Sequence, residues 1–353
     1  MKTKNLIAQK ILTWYDENAR QLPWRIEPSA STKGILPNPY SVWLSEIMLQ
    51  QTTTKAVAPY YSKFLKKWPN VDALACESEE TIMAAWAGLG YYSRARNLIK
   101  CAKEIVENHN SMFPEDERSL LMLPGVGPYT AAAIRSIAFN KKAVVIDGNV
   151  DRVIVRLYGI RTPIANSKAK IRSLATKLIP NSRFGDYAQA VMDLGSTLCT
   201  PKLPSCKRCP ISIECKAKKD KLTNIIPLRK TKVSRPTRYG YAFIIFSRKG
   251  YVLMLRRPKD GLLGGMIGYP TSNWTIANFP SFIPPFKLDW TFIDTTIRHS
   301  FSHFDLELKL VSSFINFVPD GYLEKNINNN TRMSLPTLMR KVYDVMDKVR
   351  QTH

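Results

Sequence analysis

Up to about residue 215, apolar residues return every three or four positions with few alternating β-branched runs, a period that predicts a helical domain over 1–215. The N-terminal stretch MKTKNLIAQKILTWYDE has its apolar residues interrupted by Gln9 and Lys10, so it reads as an amphipathic helix and not as a signal peptide. Further on the pattern changes. YGYAFIIFS, GYVLMLRR and LELKLVSSFINFV are short, β-branched and aromatic, and predict strands, with Gly250 marking a hairpin between the first two. Between these regimes, 216–238 holds nine Lys or Arg against one Asp, with two prolines, and reads as an exposed linker or as a segment laid along a phosphate backbone. The Asn-rich EKNINNNTRM predicts a loop, and LPTLMRKVYDVMDKV a last helix with Leu335, Leu338, Met339 and Val342 on one face. The expected fold is a mainly α N-terminal domain (1–215), a basic linker (216–238) and an α+β C-terminal domain (239–353).

Hydrophobic residues at 44% and charged residues at 23% are ordinary for globular chains. The charge balance is not: 52 Lys plus Arg face 28 Asp plus Glu, a formal net charge of +24. Such a field draws polyanions, nucleic acid first, although a basic surface also serves solubility alone. No apolar run approaches the length of a membrane-spanning helix, so a cytoplasmic location is expected, with six cysteines as reduced thiols or metal ligands. Four of them, Cys199, Cys206, Cys209 and Cys215, are separated by six, two and five residues, so their thiolates can converge in one loop on a metal or a cluster. Cys76 and Cys101 lie scattered in helical stretches.

Three further stretches carry candidate chemistry. LMLPGVGPYTAAAIRSIAF runs from one helix through Gly125, Val126 and Gly127 into another, with Pro128 suited to the first helical position. Glycines admit a close ligand and the second helix offers unpaired N–H groups, so this turn suits a phosphate, as well as being an ordinary helix-helix turn. AVVIDGNVDRVIVRLYGI reads as a buried apolar run followed by a helix with Val150, Val153, Ile154 and Leu157 on one face, which puts Asp147 at a helix N-terminus, where capping is one role open to it. In PYSVWLSEIMLQQT, Tyr40, Trp43, Leu44, Ile47 and Met48 form the apolar stripe of a helix, and Glu46 falls outside it; by periodicity alone Glu46 is a solvated surface glutamate.

Together these features resemble the DNA glycosylase superfamily that carries a helix-hairpin-helix and a 4Fe-4S cluster, and within it the MutY-type adenine DNA glycosylases. LPWR at 22–25, PYSVWLSEIMLQQT at 39–52, GLGYYSRARNL at 88–98 and LPGVGPYTAAAI at 123–134 carry the likeness, extended by VIDGNVDRV, QAVMDLGSTLCT, RRPKDGLLGGMIGYP and RHSFSHFDLEL. The stretch 26–38 is longer than the usual link in that family, and the likeness fades after Val318.

The resemblance implies a monofunctional enzyme, a monomer associated with the nucleoid, that removes adenine mispaired with 8-oxoguanine or guanine in double-stranded DNA. Glu46 becomes the general acid, Asp147 the carboxylate that stabilises the cationic sugar, and Asn149 its support. Trp24, Arg25 and Gln189 line the adenine pocket, while Gln51 and Tyr91 enter the base stack. Tyr129 stands where related lyases carry a Schiff-base lysine. Gly125, Val126 and Gly127 meet the DNA backbone, and the four clustered cysteines hold one 4Fe-4S cluster. The C-terminal domain resembles a Nudix-like fold that reads 8-oxoguanine through Phe301, Ser302 and His303. Between Gly261 and Asp305 there is no glutamate, which argues against nucleotide hydrolysis at a Mg²⁺ site.

Overall fold

The computed structural model describes residues 2–228, 235–247, 251–258 and 261–351; Gly250 and positions 229–234 of the basic segment lie outside the described residues. The chain forms two compact units. One comprises Met1–Glu77 and Asn97–Thr231, the other Ser78–Arg96 and Lys232–His353. The stretch Ser78–Arg96, which sequence reasoning placed in the N-terminal domain, is thus grouped with the C-terminal residues.

Five helices precede the first change of unit: α1 (Lys2–Asn18), α2 (Pro28–Ser31), α3 (Pro39–Leu49), α4 (Thr54–Lys67) and α5 (Val71–Ala75). After α6 (Glu79–Trp86), helix α7 (Ser93–Asn108) carries the chain into the first unit again. There follow α8 (Glu117–Met122), α9 (Pro128–Ile137), α10 (Gly148–Tyr158), α11 (Ile164–Thr176), α12 (Phe184–Thr197) and α13 (Lys216–Lys219).

Local chemistry explains the boundaries that matter for the site. Asn38 accepts from the Tyr40 amide and Pro39 occupies the first turn, which starts α3. Pro128 starts α9 directly after Gly127. Asp147 caps α10 by accepting from the Asn149 and Val150 amides, and Gly159, in the left-handed region, ends it. α12 is buried without interruption from Gly185 to Gly195 and packs against α1, α9 and α10, while α3 packs against α4 and α9. Four helices are thereby fixed around one interior, each bringing a polar side chain to it.

Two expectations need correction here. Of the AVVI run expected to be buried, only Val145 is, because the segment forms the approach to α10 and not a core strand. The basic segment is not an exposed linker from its start. Ala217 and Ile226 are buried, and the buried Arg156 donates to the Ile226 carbonyl at 3.0 Å, so 216–228 packs as part of the helical unit.

Among the described residues the second unit is built on a seven-stranded sheet: β1 (Thr237–Ser247), β2 (Tyr251–Arg256), β3 (Ile267–Gly268), β4 (Thr275–Ile276), β5 (Thr291–Ser300), β6 (Asp305–Ile315) and β7 (Tyr322–Asn326). The main path is β3-β2-β1-β6-β5, with β4 paired to β1 and β7 to β2. β1 and β6 run parallel in continuous register from Thr237 opposite Asp305 to Ser247 opposite Ile315. β1 reads as a nearly unbroken apolar run from Tyr241 to Phe246 because both sheet faces are covered there, whereas the first half of β6 alternates, with Leu306, Leu308 and Leu310 inward. On one face α15 (Thr337–Gln351) sets Leu338, Met339, Val342 and Met346 against Ile244, Met254, Leu308 and Leu310. On the other, Phe279, Phe286, Leu288 and Trp290 cover Phe243, Ile245 and Val311.

The expected loop at EKNINNNTRM is instead the end of β7 followed by α14 (Asn329–Ser334), whose first turn is capped by Asn328. Asparagine at a helix cap gives the same polar sequence signal as a loop. β5 was missed for a similar reason: it is an edge strand with most of its side chains exposed, so no alternation marks it.

Candidate active site

In the helical unit a cavity of about 710 Å³ is lined by Trp24, Arg25, Glu46, Gln51, Tyr129, Asp147, Asn149 and Gln189, among others. Eight residues singled out in the sequence from five separate stretches therefore face one space. Glu46 is only 5% exposed, so the surface position expected from periodicity does not hold. α3 is packed on both flanks, and what looked like a solvent side is the cavity wall.

Burial pushes the Glu46 carboxyl up to about 7; Asp147 adds to the rise, and the Tyr129 hydrogen bond and the Arg25 charge oppose it. The Tyr129 hydroxyl donates to Glu46 Oε2 at 2.8 Å. Burial and the two carboxylates hold Tyr129 itself well above its ordinary range, so it acts as a neutral donor.

Asp147 is placed by its cap. Oδ1 accepts from the backbone amides of Asn149 at 2.9 Å and Val150 at 2.7 Å, while Oδ2 accepts from Asn149 Nδ2 at 2.8 Å. The capping role weighed for this residue is real, and it coexists with a place in the cavity. Asn149 is held in turn by Arg152, whose Nη2 donates to Asn149 Oδ1 at 2.9 Å and to the Gly195 carbonyl at 2.6 Å. A Cβ at Gly195 would stand 2.7 Å from the Asn149 Cβ, so α10 and α12 approach this closely only because a glycine is present.

Trp24 is buried and meets Tyr61 edge-on at 5.3 Å between ring centroids. Burial alone would favour discharging Arg25, yet the Asp193 carboxylate, 2.7 Å from Nη1, keeps its guanidinium firmly charged. Asp193 and Arg20 escaped sequence reasoning, as did Gly195. The available signal for Asp193 was a lone carboxylate inside the apolar run AVMDLG, the same kind of anomaly that marks Glu46.

At the hairpin, Gly125 has φ +78° and a Cβ there would meet the Asn97 Cβ at 2.8 Å, so glycine is required. A Cβ at Gly127 would meet open space. Val126 points inward, and its amide donates to the Leu123 carbonyl at 3.1 Å, which leaves the flanking positions as the open part of the turn.

The four clustered cysteines are all partly exposed and unpaired with one another by disulfides. Among the described residues no three His, Cys, Asp or Glu side chains are gathered tightly enough for a single metal ion. Yet burial pushes the Cys209 thiol up to about 12, and Cys199, Cys215 and Cys206 all add to the rise. Four thiols close enough to raise one another's proton affinity form a soft donor set that a positive metal centre would allow to ionise together. Arg156 Nη1 donates to Cys199 Sγ at 3.3 Å and anchors this loop to α10.

Tyr91, Phe301, Ser302 and His303 lie in the second unit, where they line a separate cavity of about 430 Å³. The Tyr91 and Ser302 hydroxyls are 2.9 Å apart. Ser302 and His303 are exposed at the turn between β5 and β6, while the Phe301 amide donates across that turn to the Phe304 carbonyl at 2.8 Å. Gln51 and Tyr91 both have left-handed backbones, with φ 56° and 49°, a strained state for non-glycine residues that is often found where function demands it.

A family model for HhH-GPD superfamily base excision DNA repair proteins matches residues 44–181, and one for the NUDIX domain matches 241–345. The adenine DNA glycosylase of Buchnera aphidicola subsp. Baizongia pistaciae is 31% identical over 99% of both chains. The chain belongs to the adenine DNA glycosylase family. It is accordingly an enzyme of the hydrolase class, a DNA N-glycosylase. The human family member is 33% identical over 75% of this chain and 57% of its own length. Among solved structures, a thermostable thymine-DNA glycosylase is 29% identical with a TM-score of 0.54, covering 62% of this chain and 98% of its own. The family likeness also runs past Val318, where it was expected to fade, through the last helix. No helix among the described residues is long and apolar enough to cross a membrane.

Proposed function

We propose that this chain removes adenine mispaired with 8-oxoguanine, and more weakly with guanine, from double-stranded DNA and leaves the abasic site uncut. One observation carries the proposal: a buried glutamate with a proton affinity near neutrality shares a cavity with a second, hydrogen-bonded carboxylate. Adenine is a poor leaving group as an anion, and the sugar it leaves becomes cationic, so the reaction wants one acid and one charge-stabilising carboxylate.

Taking the base out of the stack costs a few kcal/mol, which side chains entering the duplex must offset. Gln51 and Tyr91 are assigned that role, and Trp24, Arg25 and Gln189 enclose the extruded adenine. Glu46 gives its proton to a ring nitrogen as the N-glycosidic bond breaks and the bonding pair leaves with the base. Asp147, held by Asn149, stabilises the sugar cation. Water then adds to the anomeric carbon and its proton goes to the Glu46 carboxylate, which restores the acid. Tyr129 has no amine for a Schiff base, so strand cleavage has no nucleophile at this position.

The helical unit is the glycosylase part in this account, with the hairpin glycines and Lys202, Lys207 and Arg208 of the cysteine loop against phosphates. The second unit reads 8-oxoguanine through Phe301, Ser302 and His303. Cys199, Cys206, Cys209 and Cys215 would hold one 4Fe-4S cluster, whose contribution is to fix that loop. The protein works as a monomer at the nucleoid.

The test is a single-turnover assay of the cluster-loaded protein on duplexes with adenine opposite 8-oxoguanine, with thymine opposite guanine as the competing substrate. Strand breaks appearing only after alkali, and only with adenine, are expected. Breaks without alkali, or preference for thymine, would overturn the proposal.

A further inference from the structure

Asp193 lies in the middle of α12 and is completely buried. Its two oxygens meet three donors: Oδ1 accepts from Arg20 Nε at 2.6 Å, and Oδ2 from the Arg20 amide at 3.0 Å and from Arg25 Nη1 at 2.7 Å. The segment it grips, residues 19–25, has no helix or strand of its own and carries Trp24 and Arg25 into the cavity. Asp193 itself does not line that cavity, whereas Arg20 and Arg25 do. A buried carboxylate that touches no open space but clamps two cavity-lining arginines can act on the reaction only through them.

Resting on the adenine glycosylase activity proposed above, we infer that Asp193 is a positioning residue: it fixes the Arg25 guanidinium beside Glu46 and so sets the pH range over which Glu46 serves as the acid. The groups facing Glu46 are Tyr129 from α9, Asp147 from the start of α10 and Arg25 from the 19–25 segment, and Arg25 alone among them is a cation. Those facing Arg25 are Asp193, Glu46 and Tyr15 of α1, whose buried hydroxyl has no hydrogen-bond partner among the described residues. A buried guanidinium deprived of its carboxylate does not stay in place. Once Arg25 withdraws, Glu46 loses a neighbouring positive charge and holds its proton to higher pH.

The experiment measures single-turnover adenine excision by the cluster-loaded protein from pH 5 to 9, for wild type, Asp193→Asn, Arg25→Gln and the double variant. Asp193→Asn is expected to slow excision by roughly tenfold or more and to move the basic limb of the profile alkaline by roughly one pH unit, the scale of one nearby charge. Arg25→Gln should move it equally, and the double variant no further, because both changes remove the same cation. An unmoved limb in folded Asp193→Asn overturns the inference, as do single-variant effects that multiply in the double. Should Asp193→Asn fail to fold, Asp193→Glu, which keeps the carboxylate and Arg25 but displaces their contact by one methylene, carries the test. A limb displaced alkaline there supports positioning, and a wild-type limb and rate assign Asp193 to the fold alone. If the wild-type protein excises no adenine, the proposed activity fails before Asp193 is in question.

Discussion

Replacing Glu46 with glutamine separates the cost of a buried acid from its use. The carboxyl rises from 4.5 to about 7 because burial disfavours its charged form. Each pH unit of displacement corresponds to about 1.4 kcal/mol, so the folded protein bears a penalty of about 3 kcal/mol when Glu46 is ionised. The sign follows from the raised value. In the folded state Glu46 holds its proton longer than in the unfolded chain, so its contribution is fully present below pH 4.5, declines as pH rises, and is gone above about 7. Glutamine does not titrate. Urea unfolding of both proteins from pH 4 to 8.5 should therefore show the variant gaining on the wild type from pH 4.5 and levelling off above pH 7, ahead by about 3 kcal/mol relative to the acid end. Excision should be abolished while duplex binding persists. Unfolding curves that stay parallel across this range would refute the assignment of Glu46 as a carboxyl protonated near neutrality, and retained excision would refute its role as the acid.

Tyr129→Phe removes a hydrogen bond that favours the charged form of Glu46, so the basic limb of the pH–rate profile should move alkaline; a limb displaced toward acid would contradict the contact. Gly195→Ala inserts a methyl 2.7 Å from the Asn149 Cβ and should cost about 1–3 kcal/mol in stability with at least a tenfold loss of excision, whereas wild-type kinetics would show that α10 can yield without disturbing Asp147. Cys209→Ser should lower the iron content and the visible absorbance of the purified protein, and full retention of both would remove Cys209 from the ligand set. Ser302→Ala should weaken the preference for 8-oxoguanine over guanine in duplexes with adenine, and an unchanged ratio would count against the β5–β6 turn as reader.

The parts of this molecule that are written locally were legible in its sequence. Asn38-Pro39, Gly127-Pro128 and Asp147 announce helix starts because cap chemistry acts over two or three residues. The cysteine loop stands out by spacing, whereas Glu46 and Asp147 were paired only by the resemblance, and the cavity is where the two carboxylates meet. Whether Glu46 faced water or protein was not legible, because α4 and α9 decide it, and they are distant in sequence. Asp193 was hidden by the same ambiguity. It sits among apolar residues with no local partner, and its arginines come from positions 20 and 25. The edge strand β5 and the cap of α14 are polar for structural reasons that composition alone reads as loop.

The grouping of Ser78–Arg96 with the C-terminal residues bears on how this protein could be divided or recombined. A cut in the basic segment follows the composition but not the packing. The N-terminal fragment would keep Tyr91 and Arg96 without their hydrogen-bond partners, the Ser302 hydroxyl and the Gly264 carbonyl. A chimera joined at that point would require its new C-terminal part to supply partners for this excursion. Exchange at that boundary therefore trades the hydrogen-bond partners of Ser78–Arg96 along with the sheet that carries them.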